Sequence, residues 1–379
     1  MSVARPRLAV VTPVHWKAFM GGAQYQIKCL LHFLRTLERY DIHYLARRVP
    51  ADHELDGYSI HRIGDGRALP RIGYVADAPD LYRALRTIRP DVIYQRIGCA
   101  YTGIAAHFAR RSGCGLVWHA ANDTDVQPGL KVERNFVRQR LERTLLSHGI
   151  RHADRTITQT EQQARLLLEN FGRRPDAVIA NFHPLPDEMR ALDEPLRIVW
   201  IANFKRAKQP EAFLRLANSL RGLEGVQFVM IGAPASGEGE AQWNDALRQQ
   251  IASLPNLTHL GQLSQAEVNS QLAGAYAFVN TSVYEGFPNT FIQAWLREVP
   301  VVSLTVNPDD ILDRAAVGIH ARTEQGLTDA VRRLVEDRTL HDQLARNAGE
   351  HAREFHSMKN AQRLAQVIDS ALAPRRVRP

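Results

Sequence analysis

The chain has 379 residues, 45% of them hydrophobic and 23% charged, with a net charge of +8. This is ordinary globular composition, so a collagen-like or mostly disordered chain is excluded, and at roughly 150 residues per domain the length suits two domains. No run of 18 apolar residues occurs, which argues against a transmembrane helix.

In chain order, short β-type runs alternate with helical runs. Residues 7–13 read as a strand, and residues 23–38 carry Ile27, Leu30, Leu31, Leu34 and Leu37 at helical spacing. The apolar stretch at the N-terminus is short, is broken by Pro13 and is followed by no small-residue cleavage site, so no signal peptide is expected. Further strands are predicted at 42–46, 91–95, 115–119, 155–159 and 177–181, with helical patterns between most of them. Residues 182–195 bear three prolines and read as a linker. The pattern then restarts, with strands at 197–202, 226–232, 257–261, 277–282 and 299–304, and a last helix at 358–372. Such alternation implies parallel sheets wrapped by helices, in two doubly wound α/β domains with a deep cleft. Cys29, Cys99 and Cys114 have no CxxC or zinc-ligand spacing and read as buried free thiols in a reducing cytoplasm.

In such folds ligands meet the residues that follow the strands. Gly21-Gly22-Ala23-Gln24 opens the first helix, where two glycines let backbone N–H groups approach an anion. It is not the GxGxxG dinucleotide fingerprint. The sharper pattern is YAFVNTSVYEGFPNTFIQAWLREVPVVSL at 276–304, a strand, a turn at 285–290, a helix and a second strand.

Here the sequence resembles glycosyltransferase family 4, which carries a Glu, seven residues and a second Glu on a turn entering a helix, then a Gly-x-Pro-Val-Val strand. This chain has Glu285, seven residues, Gln293, and Val299-Pro300-Val301-Val302. The Gly21-Gly22 loop, the stretch 200–217 with Lys208, the run 229–234 with Gly232, residues 257–268 and His119 match family features in order. The resemblance spans essentially the whole chain. Three residues depart from it: Gln293 replaces the second Glu, Asn203 stands where the family carries Arg, and Glu298 stands at the Gly.

The resemblance implies the GT-B architecture, two Rossmann-like domains facing across a cleft. Residues 1–190 would form the acceptor domain, joined by the helix at 358–379, and residues 191–357 the donor domain. It implies a retaining transfer from a nucleotide-sugar donor, with no cofactor, no metal and no protein nucleophile. His119 and Glu285 would touch the reacting sugar. Lys208, with Lys205 and Arg206 nearby, would neutralise the leaving diphosphate. Backbone N–H groups of Phe287, Asn289 and Thr290 would cradle it, while Pro288 has none to give. Gln293 would reach the ribose, and Gly21, Gly22, Asn203 and Gly232 would complete the donor site. Arg96 and Asp123 are assigned to the acceptor side. Asp123-Thr124-Asp125 has the form of a metal-binding DxD, but this fold does not need one.

The basic excess lies in residues 1–190, with 28 Lys and Arg against 19 Asp and Glu; residues 191–379 hold 20 against 21. A basic half implies an anionic partner. Residues 131–152 read as a helix with Val132, Phe136, Leu141 and Leu145 near one face and Lys131, Arg134 and Arg138 on another. Such a helix suits an anionic membrane surface, and the acceptor expected is a polyprenyl-diphosphate-linked saccharide of a bacterial surface polysaccharide. The protein is then cytoplasmic and peripheral on the inner face of the membrane. Two other readings are a sugar-nucleotide epimerase on the same fold and a non-catalytic partner protein. No aromatic interleaving or motif supports nucleic-acid binding.

Overall fold

The computed structural model describes residues 5–50, 57–64, 73–127, 136–186, 194–235 and 239–372. The chain divides into two compact units, Met1–Phe182 with Met358–Pro379, and His183–Ser357.

The first unit runs β1 (Arg7–Val14), α1 (Gly22–Thr36), β2 (Asp41–Arg48), β3 (Ser59–Arg62), α2 (Ala78–Ile88), β4 (Val92–Arg96), α3 (Ala100–Ser112), β5 (Gly115–His119), α4 (Asp123–Val126), α5 (Phe136–His152), β6 (Arg155–Thr158), α6 (Glu161–Phe171) and β7 (Ala177–Val178). The strands pair in parallel in the order β3-β2-β1-β4-β5-β6-β7. Alternation along β1 feeds two cores, as the period of two demands. Leu8 and Val10 join Ile27, Leu30 and Leu34 of α1. Ala9 and Val11 join Leu81 and Leu85 of α2, Ile104 of α3 and Leu146 of α5. α3 and α5 cross at backbone distance, because a Cβ on Gly103 would lie 2.3 Å from the Leu145 carbonyl oxygen.

The second unit runs β8 (Leu196–Ile201), α7 (Pro210–Ser219), β9 (Val226–Ile231), α8 (Ala241–Ala252), β10 (Leu257–His259), α9 (Gln265–Ala273), β11 (Ala277–Asn280), α10 (Asn289–Trp295), β12 (Val301–Ser303), α11 (Ile311–Arg314), β13 (Gly318–His320), α12 (Glu324–Glu336) and α13 (Arg338–Phe355). Its strands are also parallel, in the order β10-β9-β8-β11-β12-β13. Trp200, Phe213 and Phe228 fill one face, and Phe278, Phe291 and Trp295 the other. Each sheet therefore has a point where the strand order reverses, between β1 and β4 and between β8 and β11.

The last helix, α14 (Lys359–Ser370), belongs to the first unit. Leu364 and Ile368 pack with α1 residues, and Asp369 accepts from Tyr40 and pairs with Arg39 at 2.7 Å. Cys29, Cys99 and Cys114 are buried and form no disulfide among the described residues. Burial pushes the Cys29 and Cys114 thiols up to about 11, so they stay protonated.

Of the apolar face expected over 131–152, Phe136 and Leu141 are exposed and Leu145 is half-buried, while Leu146 and Ile150 of α5 enter the core. Lys131, Val132 and Arg134 lie outside the described residues. Glu298 adopts φ +57°, a left-handed conformation that costs a non-glycine residue roughly 1–2 kcal/mol. That is the physical reason for Gly at the corresponding position of the family motif; here Arg353 pairs with the Glu298 carboxylate at 3.2 Å.

Candidate functional site

In doubly wound sheets ligands gather beyond the carboxyl ends of the strands where the order reverses. In the second unit that point lies between β8 and β11, and the two loops leaving these strands carry Lys208 and Glu285. Lys208 Nζ donates to Glu285 Oε1, and the same oxygen accepts from Ser282 Oγ at 2.9 Å. The loops are also tied behind the pair. Trp200 Nε1 donates to Thr281 Oγ1 at 2.8 Å, whose hydroxyl donates to the Lys208 carbonyl at 2.6 Å. The Val283 N–H bonds the Ala207 carbonyl at 2.8 Å. About a quarter of the Lys208 side chain and a fifth of the Glu285 side chain remain exposed.

The neighbouring expected residues fall on the same edge. Asn203 follows β8 and accepts from the Ala233 N–H at 3.4 Å, and Lys205 is exposed at the start of the turn that ends at Lys208. Arg206 turns away: its guanidinium lies 4.3 Å from the Trp243 ring centroid. Gly232 follows β9 with φ +150°, and a Cβ there would lie 1.8 Å from the Ala202 carbonyl oxygen. Only glycine lets the β8 and β9 loops come this close.

α10 begins at Asn289 and Thr290, both half-buried, after Pro288. Asn289 Oδ1 lies 3.3 Å from His183 Nε2, and burial pushes that histidine down to about 3, so it is neutral. The Phe287 side chain is core, edge-on to Trp295 and tilted against His356. Gln293 is buried, and its amide donates to Asn269 Oδ1 of α9 at 3.3 Å.

In the first unit, His119 ends β5 beside Arg96, which ends β4. Both side chains are 1% exposed. His119 Nδ1 lies 2.9 Å from the Tyr94 hydroxyl and 3.3 Å from Arg96 Nη1. Arginine can only donate, so Nδ1 accepts and the ring proton sits on Nε2. Burial first, then the Arg96 charge, holds the ring's pKa well below the usual histidine range. Among the described residues neither His119 Nε2 nor Arg96 Nε has a partner, while Arg96 Nη2 donates to Asn181 Oδ1 at 2.7 Å.

Gly21 precedes α1 with no side-chain cap, and Gly22 is its first residue. The paired aspartates diverge. Asp123 Oδ1 accepts from Gln163 Nε2 at 3.0 Å, and Asp125 is fully buried, accepting from the Ala121 N–H at 2.8 Å. Among the described residues no group of three or more His, Cys, Asp or Glu side chains is placed to hold a metal ion.

Sequence reasoning missed a cavity of about 360 Å³ beyond the carboxyl ends of β1 and β4. Its lining includes Arg48 at the end of β2, Tyr74 before α2, and Arg138 and Arg143 of α5. These residues come from segments far apart in the sequence, and no local pattern joins them.

Two parallel doubly wound sheets with ligand edges of this kind are the GT-B architecture of nucleotide-sugar glycosyltransferases. The chain belongs to the group 1, family 4-like glycosyltransferases: residues 21–181 match the glycosyl transferase 4-like domain and residues 195–337 the glycosyl transferases group 1 domain. Its fold is similar to that of sucrose-phosphate synthase from Thermosynechococcus elongatus, with a TM-score of 0.78 at 14% identity over 97% of this chain and 99% of that one. It is similar to Anabaena HepE in complex with UDP and glucose, with a TM-score of 0.76 at 17% identity over 97% and 100%. A third similar structure is WaaG, a glycosyltransferase involved in lipopolysaccharide biosynthesis, with a TM-score of 0.73 at 11% identity over 95% and 99%. At these identities the likeness is one of fold.

Proposed function

We propose that the chain transfers a sugar from a nucleoside-diphosphate donor, with retention and without a metal ion, to a lipid-linked saccharide of a bacterial surface polysaccharide. The observation that carries this reading is the Lys208–Glu285 pair at the strand-order reversal of the second unit. A cation faces the phosphates that leave, and a carboxylate faces the sugar that becomes cationic. HepE, crystallised with UDP and glucose, supports a nucleotide-sugar donor. WaaG, involved in lipopolysaccharide biosynthesis, supports a surface-saccharide acceptor.

In this reading Lys208 and Lys205 neutralise the diphosphate, and the N–H groups of Phe287, Asn289 and Thr290 hold its oxygens. Gly232 and Asn203 line the donor loops, Gln293 reaches the ribose hydroxyls, and Gly21 and Gly22 offer N–H groups to the phosphate. Glu285 accepts from the hydroxyls of the transferred sugar, and the His119 Nε2–H donates to that sugar or its phosphate. Arg96 and Asp123 belong to the acceptor side. The bond from the anomeric carbon to the diphosphate breaks while the acceptor oxygen bonds on the same face. The acceptor proton passes to the leaving phosphate oxygen, so no protein nucleophile is needed. The protein works in the cytoplasm, at the inner face of the membrane.

A thermal-shift panel of nucleotides and nucleotide sugars, with and without EDTA, tests the reading, since a ligand at 100 times its Kd stabilises by about 2.7 kcal/mol. One nucleoside diphosphate and its sugar should raise Tm equally in both buffers, and Lys208→Ala should abolish the shift. A shift that appears only with added Mg²⁺ would contradict metal independence. No shift with any nucleotide would contradict the donor site.

A further inference from the structure

We propose that a second cavity of the first unit, at the amino ends of β1 and β4, binds a multiply charged phosphate compound other than the sugar donor and acceptor. The cavity measures about 740 Å³ and is lined by Arg7, Tyr82, Arg83, Arg86, Thr87 and Arg89. Arg7 opens β1, and the others lie on α2 or between it and β4. Arg96 and His119 end β4 and β5 at the opposite edge of the same parallel sheet, so this cavity is separate from the residues assigned to the transfer. Four guanidinium groups line it, and no carboxylate among the described residues does. The nearby acids are engaged: Asp80 pairs with Arg83 at 2.7 Å, and Asp91 accepts from the Arg7 N–H at 2.8 Å. Arg86 and Arg89 are exposed, and their side chains have no hydrogen bond, ion pair or ring contact among the described residues.

The arginines are more than the end of a helix requires. Cations near a helix C-terminus ordinarily answer its free carbonyls. Here Arg7 Nη1 donates to the Ile88 carbonyl at 2.7 Å and the Arg89 N–H to the Leu85 carbonyl at 2.8 Å, which leaves the Arg86 and Arg89 side chains unused. Arg89 also stands against the preference of its backbone. α2, α3 and α6 end alike, on a left-handed residue whose N–H bonds the carbonyl four residues back. Gly113 and Gly172 fill that place after α3 and α6, as the conformation favours, whereas Arg89 fills it after α2 at φ +52°. A cation therefore sits where glycine would be less strained. The Tyr82 ring, edge-on to Phe108 at 5.4 Å between centroids, adds a braced wall to the cavity. Guanidinium forks match phosphate oxygens, and several together favour a diphosphate over an anion of single charge. The volume falls within the ~300–1,000 Å³ of small-molecule sites.

The test is calorimetry of inorganic pyrophosphate against the full chain in excess nucleoside diphosphate, so that the donor loops do not compete. The wild type should bind, and Arg86→Gln/Arg89→Gln should weaken binding at least about tenfold. Arg165→Gln/Arg174→Gln removes the same charge from exposed positions outside the cavity and should change affinity less than about twofold. Arg89→Gly should raise the unfolding midpoint and still weaken pyrophosphate binding, which separates loss of the ligand from loss of the fold. A midpoint no higher than the wild type's would contradict the argument from Arg89. A second arm replaces pyrophosphate with phosphatidylcholine vesicles containing phosphatidic acid. Vesicle binding that Arg86→Gln/Arg89→Gln loses while pyrophosphate binding persists would assign the arginines to a lipid surface and overturn the proposal. Equal weakening by the two double variants, or no pyrophosphate binding by the wild type, would overturn it as well. A wild type that binds pyrophosphate but no nucleoside diphosphate would instead overturn the transferase reading.

Discussion

At His119 the ring is fixed from one side. Arg96 and Tyr94 crowd Nδ1, and Nε2 keeps the proton with no partner among the described residues. A residue so placed donates a hydrogen bond and does not exchange protons near neutral pH. Glutamine keeps an N–H donor at about the Nε2 position. His119→Gln should therefore retain more activity than His119→Ala, with the alanine variant slower by about 10²-fold, as for loss of other electrostatic donors. Equal rates for the two variants in a donor-turnover assay would count against the donor role.

His183 makes a different prediction at the same scale. Its ring is buried and neutral down to about pH 3. In the unfolded chain the ring takes up a proton near pH 6.5, so acid favours unfolding. Its stabilising share is complete above about pH 6.5 and is lost as pH falls below it, by up to about 1.4 kcal/mol per unit. Urea titrations at pH 7.5 and 5.5 should show a steeper acid loss in the wild type than in His183→Gln. Parallel slopes would contradict the buried neutral ring.

At the scale of elements, α5 forms one wall of the cavity beyond β1 and β4, and its approach to α3 depends on glycine. Gly103→Ala must displace α5 and should destabilise by about 1–3 kcal/mol in chemical denaturation. Gly222→Ala, where a Cβ meets nothing within 4 Å, should be near neutral. A similar cost at both sites would remove the close-packing account.

Legibility in the sequence varied with how local the signal was. β5 was predicted at 115–119 and lies at Gly115–His119, because its apolar run is bounded by Gly113 and by the turn after it. β3 and β13 were missed: both are edge strands of three or four residues with little apolar content. The placement of Lys208 and Glu285 on the loops after β8 and β11 was legible because each follows a strand within a recognisable turn. The burial of Gln293 against Asn269 was not, since it depends on how α9 packs on α10. The burial of Leu146 and Ile150 was not legible either, since it depends on how α5 packs on α3.

For the whole molecule, charge is the organising quantity. The excess of cations in residues 1–190 and the exposed apolar start of α5 belong to the same half of the chain. No helix among the described residues is long and apolar enough to cross a membrane. The proposed attraction to anionic lipid rests on charge and should be salt-sensitive, since the screening length shrinks to about 3 Å at 1 M salt. Arg134→Glu/Arg138→Glu should reduce vesicle co-sedimentation at low salt and leave donor affinity unchanged. Equal pelleting of both proteins would detach the charge asymmetry from membranes.

The central claim is that Glu285 serves the sugar being transferred and Gln293 serves the nucleotide. Donor affinity by calorimetry beside initial rates, for Glu285→Ala and Gln293→Ala, tests it most directly. A neutral hydrogen bond is worth roughly 1 kcal/mol, so Gln293→Ala should weaken donor binding about fivefold with turnover largely intact. Contacts of Glu285 strengthen as the sugar gains charge, so Glu285→Ala should lower turnover by about 10²-fold or more and binding far less. Wild-type turnover by Glu285→Ala would contradict the account.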